Sequence, residues 1–211
     1  MGNILGLTFD GANEADYQAV IAAETSIADV AALQVLIDRV AAATDSNVTG
    51  ISNATLGNII GLTFDGANEA DYQAAIAAEA SIADVAALQA VIDSVDNSVD
   101  AFASVQLAAT DSNVTGISNT TLGNILGLTF NGANETDYQT AIAAEASIAD
   151  VAALQVLINS VDASLLAFSE VQTAATDSNV TGFNTITLGN IIGLTFNGAN
   201  EADYQAVIAA E

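Results

Sequence analysis

The chain has 211 residues, with 26 acidic side chains set against the single cation Arg39, for a formal net charge of -25. Nucleic acid is not expected as a partner, nor an anionic membrane surface, because both are held through clusters of Lys and Arg. Cys, His, Lys, Trp and Pro are absent. That removes disulfides, thiolate and imidazole metal ligands, Ser-His or thiol nucleophiles and Schiff-base chemistry, so an enzyme is not expected.

Self-repulsion among so many carboxylates makes stability depend on salt and points to an extracellular, saline setting. The hydropathy is positive, but the apolar runs are rich in Ala and broken every few residues by Asp, Glu, Asn, Ser or Thr, so no membrane span or insertion is expected. Met1 is followed by neither a basic segment nor a long apolar stretch. It stands where the other copies of the repeat carry Leu56, Leu122 and Leu188, and the expectation is a piece of a longer array whose export signal lies elsewhere.

Four copies of one module follow each other. The segment Gly2 to Glu24 returns from Gly57, 55 residues on, and again from Gly123 and Gly189 at steps of 66. The copies divide the chain into residues 1–52, 53–118, 119–184 and a partial copy at 185–211. The extra eleven residues in the longer copies amount to about three helical turns, a lengthening of roughly 16 Å with a rotation of only about 20°. Modules this small gain stability by stacking or by sharing helices.

In each copy a short helix A comes first, as at Thr55–Leu62, with Thr55 or Asn53 as its cap and Leu56, Ile59 and Ile60 on one face. Its glycines point to close packing against a neighbour. A turn follows, centred on Asp10-Gly11, Asp65-Gly66, Asn131-Gly132 or Asn197-Gly198. Helix B opens with an Asn cap and an acidic residue three positions later: Asn13 and Asp16, Asn68 and Asp71, Asn134 and Asp137, Asn200 and Asp203. Tyr17, Tyr72, Tyr138 and Tyr204 are placed to fold back on the entering loop.

Helix C begins with Ser-Ile-Ala-Asp, read as a second capping box at Ser26 and Asp29, Ser81 and Asp84, Ser147 and Asp150. In the second copy Val85, Leu88, Ile92, Val95, Val99 and Phe102 alternate in steps of three and four, which is a heptad seam. The third copy repeats it with Val151, Leu154, Ile158, Val161, Leu165 and Phe168. A helix from about Ile82 to Ala109 is on the order of 40 Å long, enough to connect two modules. The linkers Thr44–Gly50, Thr110–Gly116 and Thr176–Gly182 are turn-rich stops, anchored by Val48, Ile51, Val180 and Phe183.

The short helix A, the N-x-x-D-Y start of helix B and the S-I-A-D-V-A-A-L-Q-x-x-I-D start of helix C resemble the GA-like three-helix modules of large bacterial surface and adhesin-like proteins, over essentially the whole chain. The resemblance implies a bacterial cell-surface location. The fold expected is all-α, tandem three-helix modules joined by long helices into an elongated rod.

Two groups of residues are candidate sites. Asp10, Asn13, Glu14 and Asp16, with Asp65, Asn68, Glu69 and Asp71, offer oxygen ligands of the kind calcium takes. Their spacing is not that of an EF-hand, Asp10 and Asp65 become Asn131 and Asn197 in later copies, and helix capping with dipole compensation is the favoured reading. No other cofactor is expected. The second group comes from a count: four A-B hairpins share three C helices. One end therefore leaves its hairpin uncovered, exposing Ile191, Ile192, Phe196, Tyr204 and Ile208, or the N-terminal equivalents Ile4, Leu5, Phe9, Tyr17 and Ile21. Either the chain is a fragment of a longer array, or such an end docks onto another copy of the chain in a head-to-tail assembly. The function expected is that of a structural or spacer segment of a surface protein or filament. The alternative is an adhesin-type module presenting a helix face to a host or matrix protein, which an exposed apolar patch in every copy would favour.

Overall fold

A computed structural model describes residues 4–5, 7–9, 11, 14–23, 26–44 and 51–211. The described residues are helices and turns, with no strand among them. The chain forms two compact units, Met1–Val99 and Asp100–Glu211. Compact units and sequence repeats divide the chain differently. The repeat boundary at 118/119 falls between Ile117 and Leu122, for instance, and both belong to one core.

The first unit contains α1 (Glu14–Ala23), α2 (Val30–Thr44), α3 (Asn53–Gly57), α4 (Glu69–Ala78) and the leading part of α5 (Val85–Asp111). Tyr17 of α1 packs with Ile37 and Val40 of α2, flanked by Leu7, Ile21 and Leu33. A larger core gathers Leu56 of α3, Tyr72 and Ile76 of α4, and Leu88, Ile92 and Val95 of α5 around the linker residue Ile51. Each such aliphatic side chain removed from water contributes about 1.5–3 kcal/mol.

The second unit holds the rest of α5 with α6 (Asn119–Asn124), α7 (Glu135–Ala144), α8 (Val151–Asp177), α9 (Thr185–Asn190) and α10 (Glu201–Ile208). Its main core joins Val105 and Ala108 of α5 to Leu122 of α6, Tyr138 and Ile142 of α7, and Leu154, Ile158 and Val161 of α8. A smaller core joins Ala174 of α8 to Phe183 and Leu188, with Ile191, Tyr204 and Ile208 partly buried beside them.

Helix starts depart from the sequence expectation in one consistent way. The long helices begin at the residue after Asp, not at Ser: Asp29, Asp84 and Asp150 accept from the backbone N–H groups of Ala32, Ala87 and Ala153 at 2.8, 2.7 and 2.8 Å. A carboxylate satisfies an orphan N–H as a serine hydroxyl does and adds a charge favourable to the helix N-terminus, so the acid takes the cap. The short helices α3, α6 and α9 are capped by Ser52, Ser118 and Asn184, rather than by Thr55 or Asn53. α3 stops at Gly57, and the helical spacing does not carry on through Ile59 and Ile60: Ile59 turns inward while Ile60 stays half-exposed. Gly61 follows at φ +85°, a left-handed turn that a side chain would strain.

The turns between hairpin and long helix behave as expected where they are described. Asp111 accepts from the N–H of Asn113, Asn113 accepts from Thr115, and Ser112 and Ser178 adopt left-handed conformations after α5 and α8. Residues 45–50 of the first linker, Val48 among them, lie outside the described residues.

The heptad seam expected along helix C holds in α5, where Leu88, Ile92 and Val95 are buried and Val85, Val99 and Phe102 pack against the cores, but in α8 it holds only through the leading half. Leu154, Ile158 and Val161 are buried there, but Phe168 is 51% exposed, and the trailing half buries Ala167 and Ala174 instead. At 3.6 residues per turn, the step from Val161 to Ala167 swings the buried stripe by about a third of a turn. The reason is that the trailing half meets a different hairpin, α9–α10, through small side chains that allow close approach. α8 is also, by length and composition, the one helix among the described residues apolar enough to cross a membrane. Five of its side chains are buried against its neighbours instead.

Candidate functional site

The recurring feature of the chain is a joint between each of the first three hairpins and the long helix that follows it. The side-chain amide of a glutamine on the long helix closes both polar groups of one backbone residue in the Leu-Thr-Phe segment. Gln34 accepts from Thr8 N–H and donates to Thr8 C=O, both at 2.8 Å; Gln89 does so with Thr63 at 2.7 and 2.8 Å, and Gln155 with Thr129 at 2.7 and 2.8 Å. Two hydrogen bonds in a fixed planar geometry set the register of the helix along the hairpin.

Two turns further along the long helix, a carboxylate locks the same surfaces. Tyr138 O–H donates to Asp162 Oδ1 at 2.5 Å and accepts from Asn131 N–H at 3.0 Å, while Asn134 Nδ2 donates to the same carboxylate oxygen at 2.7 Å. Tyr72, Asp65, Asn68 and Asp96 repeat the arrangement, with a short Tyr72–Asp96 bond. Burial of the ring, followed by donation to Asp96, pushes the Tyr72 hydroxyl up to about 12, partly offset by the N–H of Asp65 and by Asn68. The same causes raise Tyr138. Phe64 and Phe130 close the site edge-on, with ring centroids 6.3 and 6.4 Å from the tyrosines.

Three of the eight residues considered for calcium, Asp65, Asn68 and Glu69, are taken up by these joints and turns. Asp65 caps the turn at Gly66–Asn68 by accepting from Ala67 N–H at 2.9 Å. Asn131 and Asn197 do the same with Ala133 and Ala199 at 3.1 Å, so Asp and Asn are interchangeable there as acceptors. Asn68 does not cap α4 with its side chain, contrary to the expected capping box; its amide points to Asp96. Glu69 reaches across to the first turn of α3 and accepts from Asn53 N–H at 2.8 Å. Asp71 is exposed in the first turn of α4, and Glu14 is exposed on α1, accepting from Gln18. Asp10, Asn13 and the side chain of Asp16 lie outside the described residues. Among the described residues no three acidic side chains converge on one point.

The assembly candidates separate into two sets. At the N-terminal side the expected opening is filled: Tyr17 is buried and Ile21 half-buried against α2, and Phe9 stacks edge-on to Tyr17. Leu5 is 96% exposed and Ile4 38%. The uncovered hairpin is α9–α10. Its inner side is tied down, with Gln205 donating to Phe183 C=O at 2.6 Å, Glu201 accepting from Thr185 N–H at 2.8 Å and Ser164 of α8 accepting from Ile192 N–H at 2.9 Å. Its outer side is bare. Ile192 and Val207 are exposed, Leu194 and Phe196 become exposed where Leu128 and Phe130 are half-buried, and Tyr204 is only half-buried where Tyr138 is fully so. Ile191 and Ile208 remain half-buried.

Sequence reasoning missed the Gln clamp, the Tyr–Asp–Asn lock and the Glu69 tie. Their signal was present as fixed offsets: Thr to Gln 26 residues on, and Tyr to Asp 24 residues on. No protein-family model, curated protein or solved structure matches the chain.

Proposed function

We propose that the chain is a structural or spacer repeat segment of an extracellular bacterial surface protein or filament, built of tandem three-helix modules joined by long helices into an elongated rod. The observation that carries this reading is the double use of α8. Its leading half is buried against α7 and its trailing half against α9 and α10. A continuous helix that belongs to two hairpins transmits load through its own backbone hydrogen bonds, without a flexible linker between modules. The large negative charge, which a saline medium screens, supports an extracellular setting. Neighbouring repeats are the first partners on this reading; no enzymatic role, cofactor, nucleic acid or membrane insertion is part of it.

Small-angle scattering and negative-stain imaging test the proposal. An elongated particle is the expected result, and a compact sphere would sink it.

A second reading, an adhesin-type module binding a host or matrix protein, is favoured by one observation. Leu5, Ile60, Leu126 and Ile192 occupy the same place in the four copies, and each is about half or more exposed. Apolar residues repeated on the surface at a fixed interval suit multivalent docking.

A further inference from the structure

We propose that Asn113 and Asn179, in the turns that follow α5 and α8, are acceptor sites for an N-linked glycan, transferred to the side-chain nitrogen from a glycosyl diphosphate. Six segments of the chain have the Asn-x-Thr acceptor pattern, at Asn47, Asn53, Asn113, Asn119, Asn134 and Asn179. A bulky glycan and the enzyme that adds it require an asparagine at the surface, in a loop, with its nitrogen free to react. Among the described residues, the fold gives this to two of the six.

In three of the others the nitrogen is already engaged. Asn53 Nδ2 donates to Gly66 C=O at 2.7 Å, Asn119 Nδ2 to Gly132 C=O at 2.9 Å and Asn134 Nδ2 to Asp162 at 2.7 Å. Each stands at or just before the first residue of a helix, so that Thr55, Thr121 and Thr136 are held in helical backbone. Asn47 lies outside the described residues.

Asn113 and Asn179 are exposed, and their Nδ2 atoms make no hydrogen bond among the described residues. Asn113 Oδ1 accepts from the N–H of Thr115 at 3.2 Å and from its hydroxyl at 2.7 Å; Asn179 Oδ1 accepts from the same groups of Thr181 at 3.1 and 2.6 Å. Left-handed Ser112 and Ser178 end the helices just before, and Asp111 holds the N–H of Asn113 at 2.9 Å. Val114 and Val180 pack inward on the cores and fix the turns from below. A Cβ added at Gly116 or Gly182 would meet nothing within 4 Å, so the space beside each acceptor is open.

The geometry suits the chemistry. Loss of a proton from Nδ2 moves negative charge onto Oδ1, where the threonine hydroxyl and N–H already point and stabilise it. The nitrogen then attacks the anomeric carbon: the N–C bond forms as the bond from that carbon to the diphosphate oxygen breaks, the diphosphate leaves with the electron pair, and the Nδ2 proton passes to a base of the transferase. A lipid-linked and a nucleotide-linked glycosyl diphosphate supply the same chemistry.

The test begins with the chain isolated from the cells that make it, mapped by mass spectrometry after cleavage at acidic residues, since Arg39 is its single basic residue. Glycan is expected on Asn113 and Asn179, and not on Asn53, Asn119 or Asn134. Unmodified Asn113 and Asn179, or glycan on Asn119 or Asn134 as complete as on Asn113, overturns the proposal. The unmodified folded chain is then offered a polyprenyl-diphosphate oligosaccharide with an oligosaccharyltransferase, or a uridine-diphosphate hexose with a soluble N-glycosyltransferase. Addition in one arm identifies the donor, and failure of both overturns the glycosyl diphosphate as its class. Thr115→Ala should slow addition at Asn113 about tenfold or more through loss of the hydroxyl bond, whereas Thr115→Ser should retain it. Addition at Asn179 is the internal control, and equal rates at Asn113 in the two variants would overturn the role of the hydroxyl. Particle shape has no bearing on these results, so the spacer reading holds or fails separately.

Discussion

Tyr138 and Tyr204 occupy the same place in successive copies, so replacing each by Phe measures the lock between hairpin and helix with an internal control. Tyr138→Phe keeps a ring that is 1% exposed and packed edge-on against Phe130. It deletes the 2.5 Å bond to Asp162 and the 3.0 Å bond from Asn131 N–H. A hydrogen bond to a charged acceptor is worth about 1.5–3 kcal/mol, and the partly buried amide left behind adds about 1 kcal/mol. Asp162 keeps its bond from Asn134, so the carboxylate is not orphaned and the total loss should be about 2–4 kcal/mol. Tyr204→Phe removes only the 3.1 Å bond from Asn197 N–H at an exposed site, where water replaces it, and should cost below about 1 kcal/mol. Native-state hydrogen exchange is the assay, because a chain of two units and several cores has no single unfolding free energy. The expected result is loss of protection across α6, α7 and leading α8 in Tyr138→Phe, with α9 and α10 little changed in Tyr204→Phe. Equal losses in the two variants would refute the lock.

Other outcomes follow from the same geometry. The hydroxyls of Tyr72 and Tyr138 are raised above 10.0, that of Tyr72 to about 12. The unfolded chain thus loses these protons first, and the stabilisation is complete below pH 10 and fades as pH climbs towards 12. Urea midpoints measured at rising alkaline pH should fall in this window, less steeply in Tyr72→Phe; with no Lys or Cys in the chain, few other groups titrate there, and a flat profile would contradict the assignment. Leu154→Ala, at a fully buried site, should cost about 2–5 kcal/mol, while Phe168→Ala, half-exposed on the same helix, should cost under about 1 kcal/mol; calorimetry distinguishes them. Raising NaCl from about 10 mM, where charges interact over roughly 30 Å, to about 1 M, where they do so over roughly 3 Å, should raise the Tm of a chain of net charge -25.

Much of the fold was legible because local rules govern it. The Asp-Ser-Asn turns, the Tyr side chains folding back on the Asp-Gly or Asn-Gly loop, and the long helix C all depend on residues a few positions apart. The choice of Asp84 and Asp150 over Ser81 and Ser147 as caps was not legible, since both residues satisfy the capping pattern and the choice fixes only where the first turn starts. Nor was the exposure of Phe168, because a heptad seam continues only while the neighbouring element lies on the same side. The roles of Gln155, Asp162 and Glu69 join positions 16 to 26 residues apart. Repetition in the sequence marked these residues without naming their partners.

The sequence by itself determined that the chain is helical, repetitive, acidic and poor in reactive side chains, since periodicity and composition act over one or two helical turns. Only the tertiary structure decided which hairpin stays bare. The count of four hairpins to three helices holds equally for either end, and what breaks the tie is that α2 packs back on α1 while α8 gives its trailing half to α9 and α10. That choice belongs to long-range packing and register, which local propensity does not encode.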